Sequence, residues 1–199
     1  MEFTQKQNVQ LISVLLFLTV VSQAIYTALY AMASDVPRVW LWGLEGVVFI
    51  LLTAIAGATL SQTKAYTLGF AAIFASAIFN FIQVGIGLTQ FGAFREVVQA
   101  IEEMKPAAGG IVALSFFIYN GAKILLGIAA IVFGTAVLRA GAKALGGLAV
   151  LSGLVAIAMN TIVMMFGRIE AIPSGATGVV ATLLLAICLL KLRSEDTVT

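Results

Sequence analysis

The sequence predicts an all-α, polytopic membrane protein with six transmembrane helices, and three observations predict it. Of its 199 residues, 61% are hydrophobic and only 10% are charged. An ordinary soluble domain carries roughly 25% charged residues, so this chain cannot cover a water-facing surface of normal composition. Six apolar runs are each long enough for a bilayer core of about 30 Å, which takes about 20 residues of helix. The runs are continuously apolar and do not alternate every second residue, as membrane strands do.

The runs cover 9–32, 38–60, 65–90, 109–138, 143–166 and 173–191, giving a single transmembrane domain over 1–199. In the first run, residues 11–21 followed by Ser22-Gln23-Ala24 have the look of a signal peptide with its cleavage site. Glu2 offsets Lys6 ahead of it, so the run is expected to stay in place as helix 1. Ser34-Asp35 with Pro37 ends that helix, and Ser61-Gln62-Thr63-Lys64 ends the second. Pro106 with Gly109-Gly110 precedes the fourth, Arg139-Ala140-Gly141 follows it, and Pro173 opens the sixth. Small residues recur at helix-contact spacing at Gly46, Gly57 and over 130–134 and 149–153.

One loop has a pattern of its own. Over 92–105, Phe94, Val97, Val98, Ile101 and Met104 recur at helical spacing, with Arg95, Glu96, Gln99, Glu102 and Glu103 on the other face. The pattern predicts a short amphipathic helix on the outer surface, either an interfacial anchor or a lid.

The chain also carries an internal likeness. Helix 3 laid over helix 5 matches Leu68 with Leu148, Asn80 with Asn160, Ile82 with Ile162 and Gly87 with Gly167. Helix 2 over helix 4 matches Gly43 with Gly121, Ile50 with Ile128, Ala58 with Ala136 and Leu60 with Leu138, and sets Glu45 against Lys123. A repeated hairpin, helices 2–3 and 4–5, is one reading; the small alphabet of membrane helices is the other.

Basic residues set the orientation. With six crossings, one side holds Lys6, Lys64, Arg139, Lys143, Lys191 and Arg193 against Glu2, Glu195 and Asp196. The other holds Arg38, Arg95, Lys105 and Arg168 against Asp35, Glu96, Glu102, Glu103 and Glu170. The more basic side carries both termini, which predicts cytoplasmic N- and C-termini.

Function should reside in a polar layer. Charges within a membrane cost roughly 2.5–3.5 kcal/mol each on insertion scales, and two lie deep in apolar runs: Glu45 and Lys123. Counted from the cytoplasmic end of each helix, Glu45, Lys123, Asn80, Asn160 and Gln23 all stand about 24–26 Å up at 1.5 Å per residue. Asn120 and Gln83 are one turn further out, with Tyr26 and Tyr30 beyond them, while Trp40 and Trp42 mark the outer interface beside Arg38. These depths predict an outward-facing pocket built from Glu45, Lys123, Asn80, Asn160, Gln23, Asn120, Gln83 and Tyr26.

Three functions fit such a layer. It can bind or translocate a small solute, an ion or a lipid headgroup, with Glu45 and Lys123 as the charged contacts. It can be structural, as in an accessory or scaffold subunit of a membrane complex, with the polar groups only holding the bundle together. It can be catalytic, with Glu45 as base and Lys123 as acid or nucleophile. An enzyme would usually show a second carboxylate, or a Ser or Cys with an evident base, so a non-enzymatic role is expected. The absence of His and the single Cys188 remove His-based acid–base chemistry, His-held haem or zinc, and an intrachain disulfide. Met159, Met164 and Met165 are expected to pack rather than hold metal. No phosphate loop, dinucleotide fingerprint or basic nucleic-acid patch occurs, so no cofactor and no nucleic-acid partner are expected. The expected partners are membrane lipids, a small polar solute or ion, and a protein partner or second copy of the chain.

Residues 127–160 (GIAAIVFGTAVLRAGAKALGGLAVLSGLVAIAMN) resemble a group of uncharacterised six-helix bacterial integral membrane proteins. In that group a glycine-bearing run ends helix 4, a short basic loop with Ser-Gly and Pro follows, and Leu-Gly opens helix 5. Leu145-Gly146 fits, while Arg139-Ala140-Gly141 carries neither Ser nor Pro. The resemblance implies a bacterial inner (cytoplasmic) membrane and transfers no activity and no site residues. In length and helix count the chain also looks like the substrate-binding components of vitamin transporters, without their small-residue docking motif in helix 1 or a long gating loop.

Overall fold

The computed structural model describes residues 3–167 and 174–194. They form six helices: α1 Gln5–Ala31, α2 Val39–Gln62, α3 Thr67–Ala100, α4 Lys105–Arg139, α5 Lys143–Phe166 and α6 Ser174–Ser194. Each is long and apolar enough to cross a membrane. The chain is therefore a polytopic membrane protein, and six crossings bring the start of α1 and the end of α6 to one face. The predicted break at Pro173, with Arg168 and Glu170 before it, lies outside the described residues.

Helix ends follow local chemistry. Thr4 and Gln7 close a capping box that starts α1 four residues before its apolar run. Tyr66, in the left-handed region at φ 56°, turns the chain into α3.

The amphipathic segment over 92–105 is not a separate surface helix. It continues α3 without interruption to Ala100, a 3-10 turn follows over Glu102–Met104, and α4 starts at Lys105 with Pro106 in its first turn. No proline interrupts 90–100, and a helix already propagating needs a breaker to stop. At 1.5 Å per residue, the 34 residues of α3 and 35 of α4 span about 51 and 53 Å, longer than a core of about 30 Å.

Packing defines a ring. α1 packs on α2, α2 on α3, α3 on α4, α4 on α6 and α6 back on α1; no other pairing of these five helices occurs among the described residues. α5 stands outside the ring, against α4 and α6. The two hairpins of the sequence likeness, α2–α3 and α4–α5, are each packed pairs, with α3 inside the ring and α5 outside it.

The α4–α5 seam brings backbone against backbone. A Cβ on Gly153 would lie 2.6 Å from the Gly127 carbonyl oxygen, and one on Gly146 would lie 2.6 Å from that of Gly134. These backbone contacts recur every seven residues along two antiparallel helices, and the next rung outward sets Asn120 level with Asn160. Small residues permit this approach, from which membrane helices gain dispersion energy.

Each ring helix sends a large apolar side chain inward: Leu16, Phe49, Ile73, Leu126 and Leu185, all 2% exposed or less. All five lie on the termini side of Gln23, Glu45, Asn80, Lys123 and Gly178 along their helices. The polar groups lie beyond them.

Candidate polar site inside the helix ring

Lys123 is completely buried, and Glu45 is nearly so at 7% exposed. The Lys123 side chain leaves α4 along α6, where Gly178 makes room: a Cβ there would meet its Cδ at 2.7 Å and its Cγ at 2.9 Å. Crossing the ring, Nζ donates to Gln23 Oε1 on α1 at 3.0 Å and lies 4.9 Å from the centroid of the Tyr119 ring. A single side chain thus ties α4 to α1, two helices that do not otherwise pack together.

Glu45 faces the same interior from α2, within electrostatic reach of Lys123. The two do not form an ion pair at 4.0 Å or less; among the described residues the ion pair present is Lys105 with Glu102, at 2.6 Å on the surface. The Ser22 hydroxyl lies beside the Glu45 carboxyl group but closes no hydrogen bond of good geometry. Lys123 has three donors and a carboxylate has about four acceptor positions. Much of that capacity is unspent, in an interior where hydrogen-bonding groups are ordinarily satisfied.

The other predicted amides make bonds of their own. Asn80 Nδ2 donates to the Ser76 carbonyl at 2.9 Å and to the Ser76 hydroxyl at 3.2 Å, while that hydroxyl donates to the Ala122 carbonyl of α4 at 3.0 Å. Asn120 Nδ2 donates to the Phe116 carbonyl at 2.6 Å, and Asn160 Nδ2 to that of Ala156 at 2.7 Å. Each amide therefore turns back on its own helix. The Oδ1 atoms of Asn80 and Asn120 are buried and accept no hydrogen bond. Gln83 Nε2 reaches the Ser115 hydroxyl at 3.4 Å across α3–α4.

Tyr26 belongs to a different layer. It stacks on Trp42 with centroids 5.8 Å apart, and Trp42 meets Phe91 edge-on at 5.7 Å. Gly87 admits the Trp42 ring, which a Cβ there would approach to 3.0 Å. Tyr26 is one turn outward of Ser22 and Gln23, and Trp42 one turn outward of Glu45. This aromatic layer therefore covers the polar cluster on the face opposite the termini. Beyond it, a pocket of about 430 Å³ is lined by Tyr26, Asp35, Arg38, Trp42, Phe91 and Arg95, among others.

Sequence reasoning missed Ser22, Tyr119, Gly178 and the Ser76–Ala122 bond. Tyr119 was accessible as the residue one helical turn before Lys123, and Ser22 as the neighbour of Gln23. Gly178 carried no signal, since nothing in the sequence places α6 beside α4.

No protein-family model, no curated protein and no solved structure matches the chain.

Proposed function

We propose that this protein binds a small polar solute at the Lys123–Glu45 site and moves it across a bacterial inner membrane in which both termini are cytoplasmic. One observation carries the proposal: two ionisable groups share the ring interior without pairing, while Ser22 and the amide oxygens of Asn80 and Asn120 lack partners. A purely structural charge pair repays its desolvation only through close contact and completed hydrogen bonds. Intramembrane ionisable residues lacking that contact mark a solute or ion path.

The asymmetry of the interior supports the outward direction. Both sides are closed, by large apolar side chains toward the termini and by the Tyr26–Trp42 stack opposite, but Glu45 is only six residues from the start of α2, about 9 Å at the helical rise, so the shorter path runs away from the termini. Full burial of Lys123 favours a small solute over a lipid headgroup, whose acyl chains would have to pass between packed helices.

The test is native mass spectrometry of gently extracted protein, wild type against Glu45→Ala. A non-protein mass carried by the wild type and absent from the variant supports the site; a clean apo mass in both overturns it.

A second reading has its own support. The Lys123–Gln23 bond bridges helices that otherwise do not meet, which suits a scaffold or accessory subunit. The double variant Glu45→Leu with Lys123→Leu separates the two, since buried charged groups can be exchanged for apolar side chains of similar volume at little cost. Under the scaffold reading that variant folds and keeps its cellular role; under solute binding it folds and loses it.

A further inference from the structure

The pocket of about 430 Å³ at the outer ends of α1, α2 and α3 has a chemistry distinct from the site beneath it. Arg38 lays its guanidinium against two aromatic faces, 5.3 Å from the centroids of both Tyr26 and Tyr30. Its flat face is held there, and its N–H edge remains free to donate. Arg95 enters the same pocket from α3, and Asp35 from the α1–α2 connection. Among the described residues neither arginine makes an ion pair or a side-chain hydrogen bond, although Asp35 lines the same space. The pocket wall also includes Val39 and Leu88, both exposed on the outside of membrane-crossing helices. It is therefore continuous with the lipid-facing surface, at the level marked by Trp40 and Trp42.

We propose that this pocket binds the headgroup of a phospholipid on the face opposite the termini, and that its preferred ligand is a phosphodiester bearing a primary amine. Guanidinium groups match phosphate oxygens in geometry and charge, which assigns the phosphodiester to Arg38 and Arg95. Asp35 weakens the attraction for a bare anion, whereas an ethanolamine-type headgroup brings an ammonium to it. The glycerol backbone and acyl chains leave past Val39 and Leu88. The Tyr26–Trp42 stack separates this site from Lys123 and Glu45, so the proposal stands independently of the solute reading.

Trp42 in the pocket wall provides the readout. Full-length protein carrying Trp40→Phe keeps Trp42 as its remaining tryptophan of two and is titrated in detergent while Trp42 emission is followed. Dihexanoylphosphatidylethanolamine is expected to give a saturable change, with dihexanoylphosphatidylglycerol binding about tenfold more weakly. Dihexanoylglycerol and inorganic phosphate are expected to give none. Arg38→Gln and Arg95→Gln should each weaken binding about tenfold, the loss of a charge-assisted phosphate contact. Asp35→Asn should make the two phospholipids equal. Thermal melts show that each variant is folded before it is titrated. Equal response to dihexanoylglycerol would leave only an apolar groove, and equal response to inorganic phosphate would assign a soluble anion. Unchanged affinity in both arginine variants, or an undiminished preference in Asp35→Asn, would overturn the assignment.

Discussion

Gly178 of α6 and Lys123 of α4 are packed so closely that the glycine decides where the lysine goes. A Cβ at 178 would fall 2.7 Å from Lys123 Cδ and 3.2 Å from its Cβ. The Lys123 stem is fully buried and tethered at its tip to Gln23, so it has little freedom to yield. Gly178→Ala is expected to displace it and break the 3.0 Å bond to Gln23, costing about 1–3 kcal/mol of stability, the usual penalty for overpacking. Gly175→Ala is the control, because its nearest neighbour, Tyr119 Oη, would lie at 3.5 Å, an ordinary contact. A melt in detergent compares them, and equal midpoints for the two variants would refute the clamp.

Gln23, Glu45 and Lys123 show what depth can and cannot reveal. Rise per residue and the ends of the apolar runs placed all three at one level, because a helix converts sequence distance into height. Nothing in that conversion fixes which way a side chain turns, and the amides divided accordingly. Gln23, one methylene longer than asparagine, reaches across the ring to Lys123, whereas Asn80, Asn120 and Asn160 bond to the carbonyl four residues back. The six spans were legible because hydropathy and length report them directly. The ring order was not, since helix neighbours are chosen by shape at glycines such as Gly153 and Gly178. The end of α3 is not legible, because a polar, amphipathic stretch has the pattern of a new element where the backbone simply continues to Ala100.

The α4–α5 seam makes a prediction with a built-in contrast. At Gly153 a Cβ would meet the Gly127 carbonyl oxygen at 2.6 Å, and backbone cannot move aside as a side chain can. Gly147, on the same helix, has nothing within 4 Å. Gly153→Ala should therefore part the helices and cost on the order of 1–3 kcal/mol, while Gly147→Ala should leave the melting midpoint nearly unchanged. Equal effects of the two substitutions would show that the seam is not in close contact.

Ser76 joins two helices through one hydroxyl. It donates to the Ala122 carbonyl of α4 and accepts from Asn80 Nδ2. Interhelical polar bonds of this kind commonly contribute about 0.6–2 kcal/mol. Ser76→Ala is expected to lower stability by that amount. Ser152→Ala, which removes only a bond to the Ala149 carbonyl within α5, should cost less. The ratio of unfolding rates in mild denaturant reads the difference, and a larger loss at Ser152 would sink the assignment.

The orientation can be tested with thiol chemistry, because Cys188 is the only cysteine and is fully buried. The natural chain should therefore show almost no background with an impermeant maleimide. Lys64 lies between α2 and α3 on the face of the termini, whereas Arg95 lies at the opposite end of α3, and both are exposed. With cytoplasmic termini, as the bias of basic residues predicts, Arg95→Cys should react in intact spheroplasts. Lys64→Cys should react only after the membrane is permeabilised. The reverse pattern would turn the protein over, placing the polar site near the cytoplasm and the Arg38–Arg95 pocket in the inner leaflet.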